Sequence, residues 1–174
     1  MLRLATINDI DYVMEIISDA KKYLKDQNSL QWNQPDGYPR KEDLLKDINN
    51  KSCYVYIENN QIIGTMSIIY EPDENYDVVY EGAWNYNEPY ASIHRIATLN
   101  SHHHKGIGKK MMILAEDVIK SNKTFLIRID THKNNIPMKK TIESSGYNYC
   151  GIIKLKRSNE DNLRNAYEKK INIG

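Results

Sequence analysis

The segment covering residues 92–112 constrains the fold of this chain more than any other. It reads as an apolar strand, a polar loop that contains Gly106 and Gly108, and the start of an amphipathic helix. A strand that enters a helix through such a loop aims the free N–H groups of the first helical turn, and the positive end of the helix dipole, at one point. Such a point binds phosphate, so the sequence predicts an anion site here.

Two common phosphate-binding loops do not match this segment. A P-loop has the pattern Gly-x-x-x-x-Gly-Lys followed by Ser or Thr, but His103 replaces its first glycine and Lys110 its hydroxyl residue. A dinucleotide fingerprint has the pattern Gly-x-Gly-x-x-Gly at the start of a βαβ unit, but Met111 stands at its third glycine. The glycine loop therefore belongs to neither class.

Hydrophobic periodicity predicts alternating secondary structure along the whole chain. The predicted strands are residues 2–5, 53–58, 62–70, 92–99, 125–130, 147–155 and 164–171, and the predicted helices are residues 9–25, 41–49, 107–121 and 136–144. Residues 78–84 fit either another strand or an extended substrate loop. Strands that first meander and then alternate with helices predict an α/β (α+β) fold with a mixed sheet. A chain of 174 residues fits a single domain over residues 1–174.

The loop sequence His103-His104-Lys105-Gly106-Ile107-Gly108 resembles the acetyl-CoA loop of the GCN5-related N-acetyltransferase superfamily. That pattern is Arg/Gln-x-x-Gly-x-Gly/Ala between a strand and a helix, so a His replaces the usual first residue. The resemblance covers most of the chain. It implies a mostly antiparallel central sheet flanked by helices, and acetyl-CoA as the acyl donor.

The resemblance also implies which residues bind acetyl-CoA. Gly106 and Gly108 let the main chain approach a pyrophosphate without a Cβ atom in the way. The other residues implied are the exposed strand edge, the charged loop with the first helical turn, and an Asn-led helix: Ile96, Ala97, Thr98, His103, His104, Lys105, Ile107, Lys109, Lys110, Asn135 and Met138. Many members carry a Tyr seven residues after this Asn as a general acid, but here the position is Ile142. No acid is assigned.

The sequence offers two candidates for the general base that would remove a proton from the acceptor amine. His94 lies on the strand that should carry the thioester, and imidazole titrates near ~6.5. The alternative for His94 is a half-buried structural side chain, satisfied by a neighbour such as Glu81. Glu81 is the second candidate base, because bases in the family are often acidic residues on a neighbouring strand. Strand alternation predicts that Arg95 faces the opposite side of the sheet from His94.

An uneven charge distribution suggests where the acceptor binds. Residues 71–88 contain six acids and no Lys or Arg, whereas residues 102–123 are basic. This pattern fits a cationic amine on the acidic side, or simply a solvated acidic loop. The aromatic candidates for acceptor binding are Trp32, Tyr38, Tyr80 and Trp84. Trp32 alternatively fills the space between the first two helices.

We therefore expect an N-acetyltransferase that acts on a primary amine, with a small molecule as the acceptor, by direct transfer in a ternary complex. The rival interpretations are a non-catalytic CoA-binding module and an acetyltransferase for a protein terminus, a lysine or charged tRNA. An acyl-cysteine intermediate is disfavoured, because neither Cys53 nor Cys150 has an activating partner in the sequence.

Composition narrows the remaining classes. A net charge of +1 gives no sign of nucleic-acid binding. No apolar run approaches ~20 residues, so no membrane partner is expected, and the N-terminal sequence lacks the apolar region of a signal peptide. A cytoplasmic protein with reduced cysteines follows.

Three adjacent histidines, His102, His103 and His104, cannot easily converge on one ion, so no metal is expected. The resemblance allows a homodimer paired through the last strand near Tyr167.

Overall fold

The computed structural model of the protein describes residues 1–103, 105–157 and 160–172. These residues form one seven-stranded sheet with the order β1-β2-β3-β4-β5-β7-β6. The strands are β1 (Leu2–Leu4), β2 (Cys53–Glu58), β3 (Gln61–Ile69), β4 (Ala91–Thr98), β5 (Leu126–Thr131), β6 (Asn148–Lys154) and β7 (Leu163–Lys170). In the described residues β4 and β5 run parallel, and all other neighbouring strands run antiparallel. The predicted mixed, mostly antiparallel sheet is confirmed.

Four helices cover the two faces of the sheet in the described part of the chain. They are α1 (Ile10–Asp26), α2 (Lys41–Asn49), α3 (Ile107–Ser121) and α4 (Ile136–Ser144). The buried side of α1, which includes Val13, Ile16 and Ile17, packs with α2 against Val55 of β2. The buried side of α3 packs with α4 against Ile93 of β4 and the sheet residues around it. Because successive side chains of a strand point to opposite faces, the sheet lies between two apolar layers.

Two structural details refine the sequence prediction. Residues 78–84 do not form a strand, and their backbone makes a single antiparallel bridge between Tyr80 and Ile152 of β6. Short 3-10 turns at Ile7–Asp9, Glu74–Tyr76 and Asn100–His102 replace parts of the predicted helix and loops. The first of these turns is fixed by Asp9, whose carboxylate accepts from the Thr6 amide at 2.7 Å and from Arg3 at 2.8 Å.

The central strand β4 contains an irregularity that opens the sheet. His94 pairs with Ser67 of β3, and Ala97 pairs with Thr65, so β4 has one residue more than β3 over this stretch. The extra residue is accommodated by a left-handed backbone conformation at Arg95, with φ of 52°. The pairing of β4 with β5 ends at Ile93, opposite Ile129. Beyond that pair the two parallel strands separate and leave a wedge between them.

Within the described residues, we find no helix long and apolar enough to span a lipid bilayer.

Candidate active site

One cavity of about 720 Å³ passes through the wedge between β4 and β5. On one side, which we call the helix half, it is lined by the beginnings of α3 and α4. On the other side, which we call the loop half, it is lined by the loops after α1, β3 and β6 and by the start of β7. The helix half includes His103, Gly106, Ile107, Gly108, Lys109, Met138 and Thr141, and the loop half includes Tyr38, Asp73, Asn75, Asp130, Arg157 and Arg164.

Backbone groups at the start of α3 form one part of the helix half. Gly106 precedes the first residue of α3 in a left-handed conformation with φ of 71°. The first α-helical bond runs from the Lys110 amide to the Gly106 carbonyl, at 3.1 Å. The amides of Ile107, Gly108 and Lys109 therefore have no acceptor within the helix and face the cavity end of α3. This arrangement suits a phosphate group.

The two glycines of the loop have different roles. A Cβ atom at Gly106 would meet no other atom within 4 Å, so this glycine leaves open space beside the helix terminus. A Cβ atom at Gly108 would lie 3.2 Å from Cγ2 of Thr141. Gly106 thus keeps the backbone accessible, whereas Gly108 allows close packing of α3 against α4.

Most of the residues predicted to bind the cofactor line this cavity: Ile96, Ala97, Thr98, His103, Gly106, Ile107, Gly108, Lys109, Asn135 and Met138. His103 also packs edge-on against Tyr23, with 4.5 Å between ring centroids. Lys105 is exposed, and Lys110 forms an ion pair with Glu58 at 3.3 Å. The structure does not place these two lysines in the cavity lining, and His104 lies outside the described residues.

Asn135 connects the two halves of the cavity. Its Oδ1 accepts from the Met138 amide at 3.2 Å and caps α4, while its Nδ2 donates to Oε1 of Gln31 at 3.1 Å. Ile142, which stands where the family often has Tyr, lies in α4, and its side chain is fully buried. Its position is therefore part of the apolar core.

A histidine and a carboxylate meet at the entrance to the loop half. Nε2 of His94 lies 3.1 Å from Oδ2 of Asp73, and both side chains are largely buried. Burial by itself would raise the pKa of Asp73. Hydrogen bonds from His94 and from the Asn75 amide outweigh that effect and lower it. Asp73 therefore stays ionised and orients the imidazole of His94.

Arg95 does not behave as strand alternation predicts. His94 pairs with Ser67 of β3, and Nε of Arg95 donates to Oγ of the same Ser67 at 3.4 Å, so both side chains lie on the Ser67 face of the sheet. The bulge at Arg95 interrupts the alternation of β4. Its guanidinium donates to both carboxylate oxygens of Asp47, at 2.6 and 2.9 Å, and to the hydroxyl of Tyr38 at 2.5 Å. Burial raises the pKa of Tyr38 although Arg95 opposes the shift. This network fixes one wall of the loop half.

The predicted acceptor residues separate into two groups. Trp32 and Tyr38 line the cavity, and Trp32 also packs in the core between α1 and α2, as the packing alternative predicts. The indole of Trp84 donates to the Tyr76 carbonyl at 2.8 Å and lies over the guanidinium of Arg128. Tyr80 is held against β6 by its backbone bridge to Ile152.

Glu81, the second candidate base, is exposed and directly follows Tyr80 at the outer edge of the sheet. The structure does not bring Tyr80, Glu81 or Trp84 into the lining of the cavity. The reason is that residues 78–84 cross beside β6 rather than beside β4.

The acidic segment mostly faces solvent. Glu74 and Asp77 pair with Lys156, and Glu88 pairs with Lys170. Asp73 is the acid of this segment that lines the cavity among the described residues. The loop half instead contains the guanidinium groups of Arg95, Arg157 and Arg164, a feature that the charge distribution along the sequence did not predict.

Sequence reasoning missed Asp73, Asp130 and Arg164. Asp130 accepts a hydrogen bond from the buried hydroxyl of Tyr76 at 2.7 Å. The position of Asp130 near the end of a predicted strand was the only available signal, since the carboxyl ends of neighbouring parallel strands meet at one edge. Asp73 and Arg164 reach the cavity through contacts that are distant in sequence, which no local pattern reveals.

The two cysteines are not activated. Burial raises the pKa of Cys53 to about 11 and that of Cys150 to about 12. Neither thiol is a nucleophile near neutral pH. Among the described residues, no group of three or more His, Cys, Asp or Glu side chains converges in a way that could hold a metal ion.

Comparisons with known proteins agree with this geometry. The profile of the Acetyltransferase (GNAT) family matches residues 17–147. A GNAT-family acetyltransferase from Streptococcus agalactiae is 32% identical, with a TM-score of 0.90 over 99% of this chain and 95% of the other. A search of curated protein sequences found no match.

More distant structures share the fold. Ribosomal-protein-alanine N-acetyltransferase from Brucella melitensis is 16% identical, with a TM-score of 0.70 over 98% of this chain and 99% of the other. AAC(6')-Ib, whose structure was determined in complex with ribostamycin and coenzyme A, is 17% identical, with a TM-score of 0.69 over 98% of this chain and 92% of the other.

The sheet, the wedge and the helix terminus thus define an acyl-CoA N-acyltransferase fold. The chain belongs to the Acetyltransferase (GNAT) family, and acetyl transfer is its chemistry.

Proposed function

We propose that this protein moves the acetyl group of acetyl-CoA to the primary amine of a small molecule, by direct transfer in a ternary complex. We also propose that the whole chain forms one catalytic domain. The observation that carries this proposal is the single cavity through the wedge. It joins a helix terminus suited to phosphate with a loop half that contains a histidine–carboxylate pair.

The residues of the helix half fit coenzyme A. The free amides of Ile107, Gly108 and Lys109 would hold the pyrophosphate, with Lys109 adding charge. The edge of β4 beyond Ile93 has no partner in β5, so Ile96 and Ala97 can offer backbone groups to the pantetheine arm. Bound acetyl-CoA would supply the thioester whose acetyl carbon is attacked.

His94 is suited to accept the proton of the acceptor. A protonated alkylamine with a pKa near ~10.4 has no lone pair, so the amine must lose a proton before or during attack. His94 lies at the wedge, and Asp73 holds one of its ring nitrogens at 3.1 Å. The other ring nitrogen then takes the proton, directly or through a bridging water.

The bond changes balance without a covalent enzyme intermediate. The amine nitrogen forms a bond to the acetyl carbon, the carbon–sulfur bond of the thioester breaks, and coenzyme A leaves as a thiolate or thiol. Backbone N–H groups beside the wedge would stabilise the negative charge that develops on the carbonyl oxygen. The high pKa values of Cys53 and Cys150 argue against an acyl-cysteine route.

One contact favours a small acceptor over a protein. Arg157, in the loop after β6, stacks on the ring of Tyr38 at 3.9 Å and pairs with Asp36 at 2.5 Å. This contact ties two loops together across the loop half, which narrows the space available to a polypeptide chain.

Thermal unfolding with and without acetyl-CoA is the first test. Saturation at ~100-fold above Kd should stabilise the native state by ~2.7 kcal/mol. A second measurement would follow the release of free thiol in the presence of a panel of amines. Stabilisation by acetyl-CoA without turnover of any amine would favour a non-catalytic CoA-binding module, and no stabilisation at millimolar acetyl-CoA would reject the proposal.

A further inference from the structure

Arg164 carries a charge that the reaction described above does not use. It lies in β7, it is only 3% exposed, and it lines the loop half of the cavity. Its Nη1 donates to the carbonyls of Asp161 and Leu163, each at 2.7 Å. In residues 1–103, 105–157 and 160–172, no carboxylate oxygen lies within 4.0 Å of this guanidinium, so no ion pair neutralises it.

Other buried or cavity-lining arginines are paired. Arg95 binds Asp47 at 2.6 Å, Arg157 binds Asp36 at 2.5 Å, and Arg128 lies 3.5 Å from Glu168. Burial lowers the pKa of Arg164, and the nearby charges of Asp130 and Asp161 offset this effect only in part. A buried cation without a paired anion is costly, and it becomes favourable when an anionic ligand completes it.

The surroundings of Arg164 show where such an anion would lie. Ala166 pairs with Asp130 across β7 and β5, and Arg164 lies two residues before Ala166, so its side chain is on the same face as that of Asp130. Both residues line the cavity, as do His94 and Asp73. The loop half therefore presents acidic groups and the unpaired guanidinium to the same bound molecule.

We propose that the acceptor is an amine that also carries a carboxylate, and that Arg164 binds this carboxylate. Because Nη1 of Arg164 already donates to two carbonyls, Nε and Nη2 are the two parallel N–H donors that match the two oxygens of a carboxylate. The amine of the same molecule would then face Asp130, Asp73 and His94. This assignment of the acceptor class rests on the acetyl transfer proposed above.

The test is a kinetic comparison of matched acceptors. Common α-amino acids, ω-amino acids and dipeptides would each be assayed with acetyl-CoA beside the corresponding amide, in which a neutral group replaces the carboxylate. We expect the carboxylate member of a reactive pair to exceed its amide by about 10- to 100-fold in kcat/KM, the range of a charge-assisted hydrogen bond. The comparison needs only the wild-type protein.

The variant Arg164→Gln should remove this preference, mainly by lowering kcat/KM for the carboxylate members, and Arg164→Lys should restore part of it. Arg3→Gln is the control. Arg3 lies in β1, pairs with Asp9 and is not in the cavity lining, so this substitution should leave the preference intact. Acetyl-CoA stabilisation of each variant shows that its fold and its helix half survive.

Four results would overturn the assignment while acetyl-CoA still binds. They are equal or better turnover of the amides, turnover of other amines but of no carboxylate member, a preference for aminoalkyl phosphonates over the matching carboxylates, and a preference unchanged in a folded Arg164→Gln variant. If acetyl-CoA does not stabilise the wild-type protein against unfolding, the proposed function itself is rejected.

Discussion

The helix half and the loop half of the cavity are built by different means. In the helix half, backbone amides at the start of α3 face the cavity beside polar side chains such as Lys109, and a left-handed glycine exposes these amides. In the loop half, the polar groups are side chains held by other side chains, such as Arg95 between Asp47 and Tyr38. A backbone site depends on local conformation, whereas a side-chain site depends on the packing of distant segments.

Under the proposed function, this difference separates cofactor binding from acceptor recognition. One backbone site can serve the same cofactor in many related proteins, because it makes few demands on side chains. The loop half can change its charge and shape by substitutions in three loops without disturbing the helix terminus.

The largest effect should come from the junction of the two halves. His94→Ala should lower kcat by about 10²- to 10⁴-fold with little change in KM, because a general base acts in the transition state. The measurement is steady-state thiol release with the best acceptor. Glu81→Gln is the matched control, and we expect full activity because Glu81 is exposed at the far edge of the sheet. Full activity of His94→Ala, or loss in Glu81→Gln, would assign the base to another group.

A smaller loss, this time of stability, should follow from breaking the network of the loop half. Asp47→Ala leaves Arg95 buried without its carboxylate, and such a change costs about 3–5 kcal/mol of unfolding free energy. Urea denaturation measures it. Asp36→Ala removes the ion pair with the more exposed Arg157 and should cost at most about 1 kcal/mol. Equal losses in the two variants would show that the Asp47–Arg95 pair is not a structural support of this half.

The smallest of the three effects should come from the helix half. Gly106→Val should weaken acetyl-CoA binding by about 100-fold, or ~2.7 kcal/mol, because a branched side chain would obstruct the helix terminus. Calorimetric titration gives the affinity. Gly37→Val is the control, since Gly37 also has φ of 71° but lies in the loop before α2, so it carries the same backbone strain without touching the terminus. If both variants weaken binding equally, strain rather than obstruction explains the loss.

Sequence patterns predicted the regular elements well. The predicted bounds of α2, α3, α4 and β2 agree with the structure, because amphipathic periodicity and caps are local signals. The prediction for residues 78–84 was left open between a strand and a loop, and the structure shows a loop with one bridge. The opposite orientation expected for Arg95 was wrong, because a bulge depends on the register of neighbouring strands and not on the strand's own sequence.

The sequence indicated one part of the candidate site and missed another. The glycine loop and the strand before it indicated the α3 side of the helix half, and His94 was chosen as a candidate base because it lies on that strand. The partner of His94, by contrast, is Asp73, which comes from the loop after β3. Glu81 and Trp84 were chosen from the same acidic segment, yet they lie beside β6, because the path of a long loop is set by what it packs against.

The sequence by itself determined the α3 side of the helix half, since residues 92–112 carry the strand, the glycines and the helix start within one continuous stretch. Conformation over such short distances follows from local backbone chemistry. Only the tertiary structure decided the loop half. Its contacts join residues as far apart as Tyr38 and Arg95, which are separated by 57 positions. Such contacts exist only after the sheet has assembled, because the cost of closing so long a loop is met by burial in the folded core.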